Sequence, residues 1–209
     1  MCTLGELIGF GGLPVLGAAI FLLLSAGMDS TNQAILLYAV AVLGGLGEGT
    51  VLALFQLRVL IRTLPGLNPR HWIFATAVAA AIAWAVGMLA PTLDEVIGIS
   101  PGIQIAIWIP ASLLILLSIG VAQAWVIRRL VNNPVSWVIG NSLAWLAGLP
   151  WTFALPALLP DGAPIAWWVT TFVVAGILMG LSVGLVTGVF LMRLRVIQQV
   201  SNRPLVQNN

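Results

Sequence analysis

Six long apolar runs divide this chain, and they constrain its fold more than any other feature of the sequence. The runs cover residues 7–27, 34–57, 72–90, 103–127, 135–159 and 165–192. Each reaches or approaches the roughly 20 residues that a helix needs to cross a bilayer core. Because lipid offers no hydrogen-bond partner, each backbone N–H and C=O must be satisfied within its own segment, which favours helices. The sequence therefore predicts an all-α, polytopic membrane bundle of six transmembrane helices.

The amino-acid composition argues against a water-soluble domain. Of the 209 residues, 60% are hydrophobic and only 7% are charged, and the mean hydropathy is +1.09. A soluble domain of this length carries roughly a quarter of its residues as Asp, Glu, Lys or Arg. The chain has too few charges to cover a water-facing surface, so we expect one transmembrane domain over residues 1–209.

The charged residues divide between the two ends of the predicted helices. The loops at 28–33, 91–95 and 160–162 contain four acids and no base. The other connections and the C-terminal segment contain all eight basic residues, each of which is an arginine: Arg58, Arg62, Arg70, Arg128, Arg129, Arg193, Arg195 and Arg203. By the positive-inside rule this second side is cytoplasmic, so both termini are expected inside, most simply in a bacterial inner membrane.

The arginines are spread over helix ends rather than gathered in one run. They do not form the pattern of a nucleic-acid patch, so no nucleic-acid partner is expected. Attraction to anionic membrane lipids is the modest interpretation of the net charge of +2.

The six runs pair into three similar hairpins, at approximately residues 7–62, 70–131 and 135–195. In the second run of each pair a glycine precedes an arginine by nine residues, as Gly49 precedes Arg58. Small residues also recur every four positions, which lets helices approach closely in lipid. The predicted packing glycines are Gly45, Gly49, Gly120, Gly176, Gly180, Gly184 and Gly188. Such repeats occur in transporters and in inert bundles alike, so the repeat does not decide the function.

Glu48 is the most informative single residue. It precedes Arg58 by ten residues, about 15 Å along a helix, and so lies near the centre of a core about 30 Å thick. A charge there costs at least about 2.5 kcal/mol, so the side chain should face the interior, pair, or be protonated. Two interpretations stay open: a proton or cation site, or a neutral carboxylic acid that hydrogen-bonds across a tight helix contact.

Three further polar residues complete the candidate intramembrane site. Gln56 and Gln123 approach the cytoplasmic boundary, and Asn141 lies near the start of the fifth run. A polar path through Glu48, Asn141 and Gln123 is conceivable, but their positions in the sequence do not establish that they face one another.

The sequence gives little support to catalysis. His71 is the one histidine, the chain has no lysine, and no Gly-x-Ser-x-Gly elbow occurs. One histidine does not make a metal cluster, although axial ligation of a haem or a chlorophyll-type pigment stays open. We therefore expect no enzyme activity, no cofactor and no metal site.

Several local patterns resemble those of a known group of proteins. The segments Gly45-x-x-x-Gly49 and Phe55-Gln56-Leu57-Arg58, with the following Trp72, are similar to multi-helix bacterial membrane proteins rich in Gly, Gln and Trp. That resemblance implies a membrane bundle and no particular activity. Three hairpins are also similar to the mitochondrial carrier plan, but its Pro-x-acidic-x-x-basic signature is missing from the odd-numbered runs.

Two functions remain as expectations from the sequence. The first is a non-enzymatic structural or accessory subunit that binds partner helices or lipid-soluble molecules. Its partners would be membrane lipids, other membrane-protein subunits or a second copy of the chain. The alternative is a small transporter or channel for protons, cations or a small solute, with Glu48 as the coupling residue.

Overall fold

The computed structural model describes residues 13–194, and within that range all regular structure is helical. The α-helices are α1 Leu13–Leu24, α2 Ser30–Thr63, α3 Pro69–Ile97, α4 Pro101–Ile127, α5 Pro134–Gly148, α6 Pro150–Ala154 and α7 Ile165–Arg193, with a short 3-10 helix at Pro156–Leu158. Five segments are long and apolar enough to cross a membrane: α2, α3, α4, Pro134–Leu158 and α7. The described chain therefore has the pattern of an all-helical, multi-pass membrane protein.

The sixth predicted span is not established. Of the run at residues 7–27, residues 7–12 lie outside the described part of the chain. Within the described part, α1 has 12 residues, which is shorter than the roughly 20 needed to cross the core.

Helix starts follow from local sequence signals. The side chains of Asp29, Asn68 and Ser100 cap α2, α3 and α4 by accepting hydrogen bonds from backbone N–H groups of the first turn. These residue types are favoured as caps because their short side chains reach the unpaired N–H groups of a helix start. Helices α3, α4 and α5 each begin with proline, whose missing N–H costs nothing at that position.

Prolines inside the runs have different outcomes. The segment at residues 91–95, expected to be a loop, is helical, because α3 continues through Pro91 to Ile97. It ends at Gly98, whose φ of 65° is left-handed and suits glycine. Pro110 likewise stays inside α4. At Pro150 the fifth run breaks, so α5 ends at Gly148 and a short α6 follows.

Consecutive helices pack side by side, and α7 returns against α5 and α6. Short connections make α2, α3, α4 and α5 antiparallel neighbours. Helices α2, α4 and α7 therefore end where α3 and α5 begin, and we call this side of the bundle the arginine end. It contains the six arginines of the described range: Arg58, Arg62, Arg70, Arg128, Arg129 and Arg193. Asp29, Asp94, Glu95 and Asp161 lie at the opposite side, which we call the acidic end.

The core has two layers of buried apolar residues. The layer nearer the arginine end includes Leu60 of α2, Trp72 of α3 and Ile127 of α4. The deeper layer includes Ile119 of α4 and Met179 of α7. Both layers draw on several helices, so the long segments share one interior.

Three of the predicted packing glycines lie at close helix contacts. A Cβ on Gly49 would be 2.7 Å from the Ala80 Cβ, and one on Gly45 would overlap the Trp84 ring, so both sit where α2 meets α3. A Cβ on Gly120 would come within 3.2 Å of the Asn141 Cβ, where α4 meets α5. These glycines let backbones approach in the way expected for helices in lipid.

The glycines of α7 behave differently from one another. Gly176 and Gly180 are buried, and Gly184 is half-buried. Gly188 is also half-buried, and a Cβ added there would meet no other atom within 4 Å. Where α5 approaches α7, Gly148 of α5 lies against Met179.

Candidate functional site

Three of the four predicted site residues meet in one hydrogen-bonded group. Gln123 lies at its centre with no exposed surface. Its Nε2 donates to the Gln56 Oε1 at 2.9 Å, and its Oε1 accepts from the Asn141 Nδ2 at 3.3 Å. Thus α2, α4 and α5 are joined through one side chain. The sequence identified these residues but not their contact.

Three residues that the sequence interpretation had not placed in the site complete the group. The Gln123 Nε2 also donates to the Thr76 Oγ1 at 3.0 Å. The Trp137 Nε1 donates to the Gln123 Oε1 at 2.9 Å, and the Trp72 Nε1 donates to the Gln56 Oε1 at 3.2 Å. We call these six residues the glutamine cluster: Gln56, Trp72, Thr76, Gln123, Trp137 and Asn141. All six are buried.

A repeated motif positions four members of the cluster. The motif is Asn-Pro-x-x-Trp, and it occurs at 68–72 and 133–137. In both copies proline is the first residue of the helix, so the tryptophan falls at the end of the first turn. Four residues further on, Thr76 and Asn141 take the same helix face. The motif, together with a polar residue four positions beyond it, is the sequence signal that could have identified the missing members.

The central amide has no unused hydrogen-bonding capacity. A glutamine side chain offers two N–H donors and an oxygen that accepts twice. Gln123 makes all four bonds, two through Nε2 and two through Oε1. The orientation of the amide follows from its partners, because an indole N–H only donates and must face the oxygen. The centre of the cluster is therefore a structural junction rather than an open binding position.

Two buried side-chain atoms, one in the cluster and one beside it, have no hydrogen-bond partner in the described structure. They are the Asn141 Oδ1 and the Trp145 Nε1, both buried and one helical turn apart on α5. An unmet donor and an unmet acceptor each cost free energy in an apolar interior. This pair is the least satisfied polar region of the described bundle.

Glu48 lies apart from the glutamine cluster. It precedes Gln56 by eight residues, which is about 12 Å along α2. Glu48 is 5% exposed, and its Oε2 accepts a hydrogen bond from the Trp84 Nε1 at 2.8 Å. The Trp84 ring crosses the surface of Gly45, so the acid sits in the contact between α2 and α3. The structure thus joins Gln56, Gln123 and Asn141, but not Glu48, into one group.

In both places interhelical hydrogen bonds hold the polar side chains. No group of three His, Cys, Asp or Glu side chains suited to a metal ion occurs in residues 13–194. His71 is exposed at the start of α3, where its backbone N–H donates to the Asn68 cap at 3.2 Å.

No known protein family, curated protein or solved structure matches this chain.

Proposed function

We propose that this chain is a non-enzymatic integral membrane protein that serves as a structural or accessory subunit. It binds partner helices or lipid-soluble molecules on its outer surface. The observation that carries the proposal is the saturation of Gln123. All four hydrogen bonds of its amide are used to join the helices of the bundle. A pathway for polar cargo needs converging polar groups that can exchange partners with the cargo. In this bundle the hydrogen-bonding positions of the central Gln123 amide are already committed to neighbouring helices.

The burial of Glu48 supports the same proposal. Its carboxyl group is enclosed between α2 and α3 and bonds to the Trp84 indole. This arrangement fits the hydrogen-bonded helix contact that was one of its two sequence interpretations. A carboxyl group in hydrocarbon is otherwise expensive, and an indole N–H offsets part of that cost.

We further propose that the arginine end faces the cytoplasm of a bacterial cell, with both termini on that side. The separation of arginines from acids supports this orientation through the positive-inside rule. The two copies of Asn-Pro-x-x-Trp open α3 and α5, and they support a common origin for the hairpins at residues 70–131 and 135–195. A sixth span and the hairpin at residues 7–62 belong to the same proposal.

Transport remains the second candidate, and the depth of Glu48 is the observation that favours it. A proton or cation carrier would use this carboxyl group as its coupling site, as intramembrane acids commonly do. The two candidates differ in a simple measurement. In proteoliposomes we expect neither proton nor monovalent cation flux above that of empty vesicles. We also expect Glu48→Gln to leave folding and the absence of flux unchanged, because a glutamine oxygen still accepts from Trp84.

The subunit proposal makes a positive prediction as well. Phe74, Phe153 and Phe172 are exposed on α3, α6 and α7, so a photoreactive phenylalanine analogue at each position samples a different outer surface. In native membranes we expect one surface to give a discrete protein adduct heavier than the 22.0 kDa chain. Adducts with phospholipid alone at all three positions, together with flux that Glu48→Gln abolishes, would replace the subunit proposal with transport.

A further inference from the structure

A lateral groove runs between α3 and α4 on the outer surface of the bundle. Its volume is about 1180 Å³. The floor is built from small residues, among them Ala75, Ala79 and Ala122, and the walls include Ile82 and Leu117. We call it the α3–α4 groove. Because it opens sideways, whatever fills it in the membrane arrives from the bilayer.

The groove has the length of one leaflet. Its lining extends along α3 from His71 to Ile82, 11 residue steps or about 16 Å, and along α4 from Arg128 to Leu114, 14 steps or about 21 Å. Half of a hydrocarbon core about 30 Å thick is about 15 Å. The apolar channel thus starts at the arginine end and stops near the bilayer centre, as the acyl chain of a phospholipid does.

The mouth of the groove is positively charged. Arg128 and Arg129 line it together with Asn68 and His71. The acids of the described chain are Glu48, within α2, and the four residues of the acidic end. In residues 13–194 neither arginine of the mouth is neutralised by an ion pair. An anionic group arriving at the mouth therefore meets two uncompensated guanidinium groups.

One of these guanidinium groups is held in place before any ligand arrives. The Arg128 Cζ lies 3.6 Å from the centre of the Trp125 ring, and its Nη1 donates to the Trp125 carbonyl oxygen. Trp125 is itself a lining residue of the groove. Positioning the cation over the ring reduces the side-chain entropy that is lost when a phosphate binds.

We propose that the α3–α4 groove binds one anionic phospholipid, with its phosphate at Arg128, Arg129 and His71 and one acyl chain along the apolar floor. Arginine binds phosphate oxygens through paired N–H groups, and basic pockets between helices on the cytoplasmic side bind acidic headgroups. The charge of the mouth selects an anionic lipid over a zwitterionic one, and the length of the groove selects a lipid over free phosphate. The proposal goes beyond the proposed function, because a lipid site is independent of whether the chain serves as a subunit or a transporter.

The test measures lipid binding to the purified full chain by native mass spectrometry and by thermal shift. Phosphatidylglycerol and phosphatidylcholine with identical acyl chains are titrated, and glycerol phosphate serves as the headgroup without a chain. We expect saturable one-to-one binding of phosphatidylglycerol and no shift from glycerol phosphate. Equal binding of the two lipids, or a shift from glycerol phosphate alone, would overturn the proposal.

Matched variants locate the site. Arg128→Gln and Arg129→Gln should each weaken phosphatidylglycerol binding about fivefold, and together about 25-fold. Arg58→Gln is the control, because Arg58 lies at the same end and stacks on Phe55 at 4.5 Å but does not line the groove. A loss of the same size in Arg58→Gln would show that any surface arginine suffices.

A groove-filling variant tests the path of the acyl chain. Val121→Trp enlarges a lining side chain that is 52% exposed while both arginines remain, and it should prevent lipid binding without changing the thermal midpoint of the lipid-free protein. Unchanged binding in this variant would contradict the position of the chain. If a partner helix rather than lipid cross-links to the analogue at Phe74, which lines the groove, the occupant is a protein and the proposal fails.

Discussion

At the scale of single residues, Gln123 is the side chain on which the interior of the bundle depends most. Replacing it with leucine keeps the approximate volume but removes four hydrogen bonds that join α4 to α2, α3 and α5. Interhelical hydrogen bonds in membranes average about 0.6 kcal/mol, so Gln123→Leu should lower the free energy of unfolding by about 2 kcal/mol. Titration of the purified protein from mild detergent into dodecyl sulfate, followed by circular dichroism, measures this change.

Gln104 provides the control for that substitution. It is a half-buried glutamine on the same helix and lies outside the glutamine cluster. Gln104→Leu should change the free energy of unfolding by less than about 0.5 kcal/mol. If both variants lose the same stability, the cluster contributes no more than any polar residue in α4.

Two tryptophans of α5 allow the contribution of one hydrogen bond to the free energy of unfolding to be measured. Trp137 and Trp145 are both buried, but only the Trp137 indole N–H has a partner. Trp137→Phe and Trp145→Phe remove the same atoms, so their cavity costs largely cancel in the difference. We expect Trp137→Phe to be less stable by about 1 kcal/mol. Equal losses in the same titration would mean that the Trp145 N–H is also hydrogen-bonded.

The candidate site residues could be identified from the sequence, but the contacts between them could not. Glu48, Gln56, Gln123 and Asn141 stood out because polar groups are rare in apolar runs. The grouping of Gln56, Gln123 and Asn141 without Glu48 could not be predicted, because it depends on the relative height and rotation of α2, α3, α4 and α5. Those variables are set by close approaches such as the contact of Gly49 with Ala80, which involve both partners at once.

At the scale of helices, the effect of a glycine-to-alanine substitution on stability should depend on whether the glycine lies at a close helix contact. A Cβ on Gly49 would lie 2.7 Å from both the Ala80 Cβ and the Thr76 carbonyl oxygen. Gly49→Ala should therefore cost about 1–3 kcal/mol through overpacking. On the same helix, a Cβ on Gly44 would meet nothing within 4 Å. Gly44→Ala should be neutral or slightly stabilising, because alanine favours helix more than glycine does. Comparable destabilisation of both variants, measured by the same unfolding titration, would rule out a close contact specific to Gly49.

The start of α2 should respond to acid. Asp29 accepts hydrogen bonds from the Asn32 backbone N–H at 2.9 Å and from its side-chain amide at 2.7 Å. These two hydrogen bonds hold the pKa of Asp29 below its usual value of 3.8, and the bond from the Asn32 backbone has the larger effect. A lowered folded-state pKa means that this stabilisation is complete above pH 3.8 and is lost as the pH falls through the lower folded value.

The pH effect can be isolated with one substitution. Asp29→Asn retains a good capping side chain without an ionisable group. Hydrogen exchange of the amides of α2's first turn should quicken relative to α3 in the wild type below pH 3.8, and should not do so in Asp29→Asn. The same acid response in both proteins would place its origin outside this cap.

The sequence predicts that the long apolar runs are helices. It predicts less well where those helices end and which residues of the repeats correspond to one another. The predicted break at 91–95 fails because a proline removes one backbone hydrogen bond, and a long apolar helix tolerates that loss. The glycine frame pairs Gly49 with Gly120, 71 positions apart. The hydrogen-bonded glutamines Gln56 and Gln123 are 67 positions apart. The two frames differ by about one helical turn, which keeps the same helix face inward, so hydrophobic periodicity alone does not separate them.

At the scale of the whole molecule, the distribution of charge is the strongest determinant of orientation. All six arginines of the described range lie at the arginine end, whereas four acids lie at the acidic end. Retention of short basic loops on the cytoplasmic side dominates topology, and acids contribute little. This argument does not depend on the sixth predicted span, because every arginine in the described range already lies at one end of the bundle. The orientation is therefore a prediction that rests on the sequence and needs no knowledge of packing.

Cysteine accessibility measures that orientation directly. Cys2 is the one cysteine of the chain, so Cys2→Ser provides a background without thiols. In that background, Asp161→Cys places a thiol in the connection before α7, and Asn132→Cys places one in the exposed connection between α4 and α5. In spheroplasts a membrane-impermeant maleimide should label Asp161→Cys, whereas Asn132→Cys should be labelled only after lysis. The opposite result would invert the proposed topology. Partial labelling of both would show that the arginines do not fix one orientation, and it would place the mouth of the α3–α4 groove on both sides of the membrane.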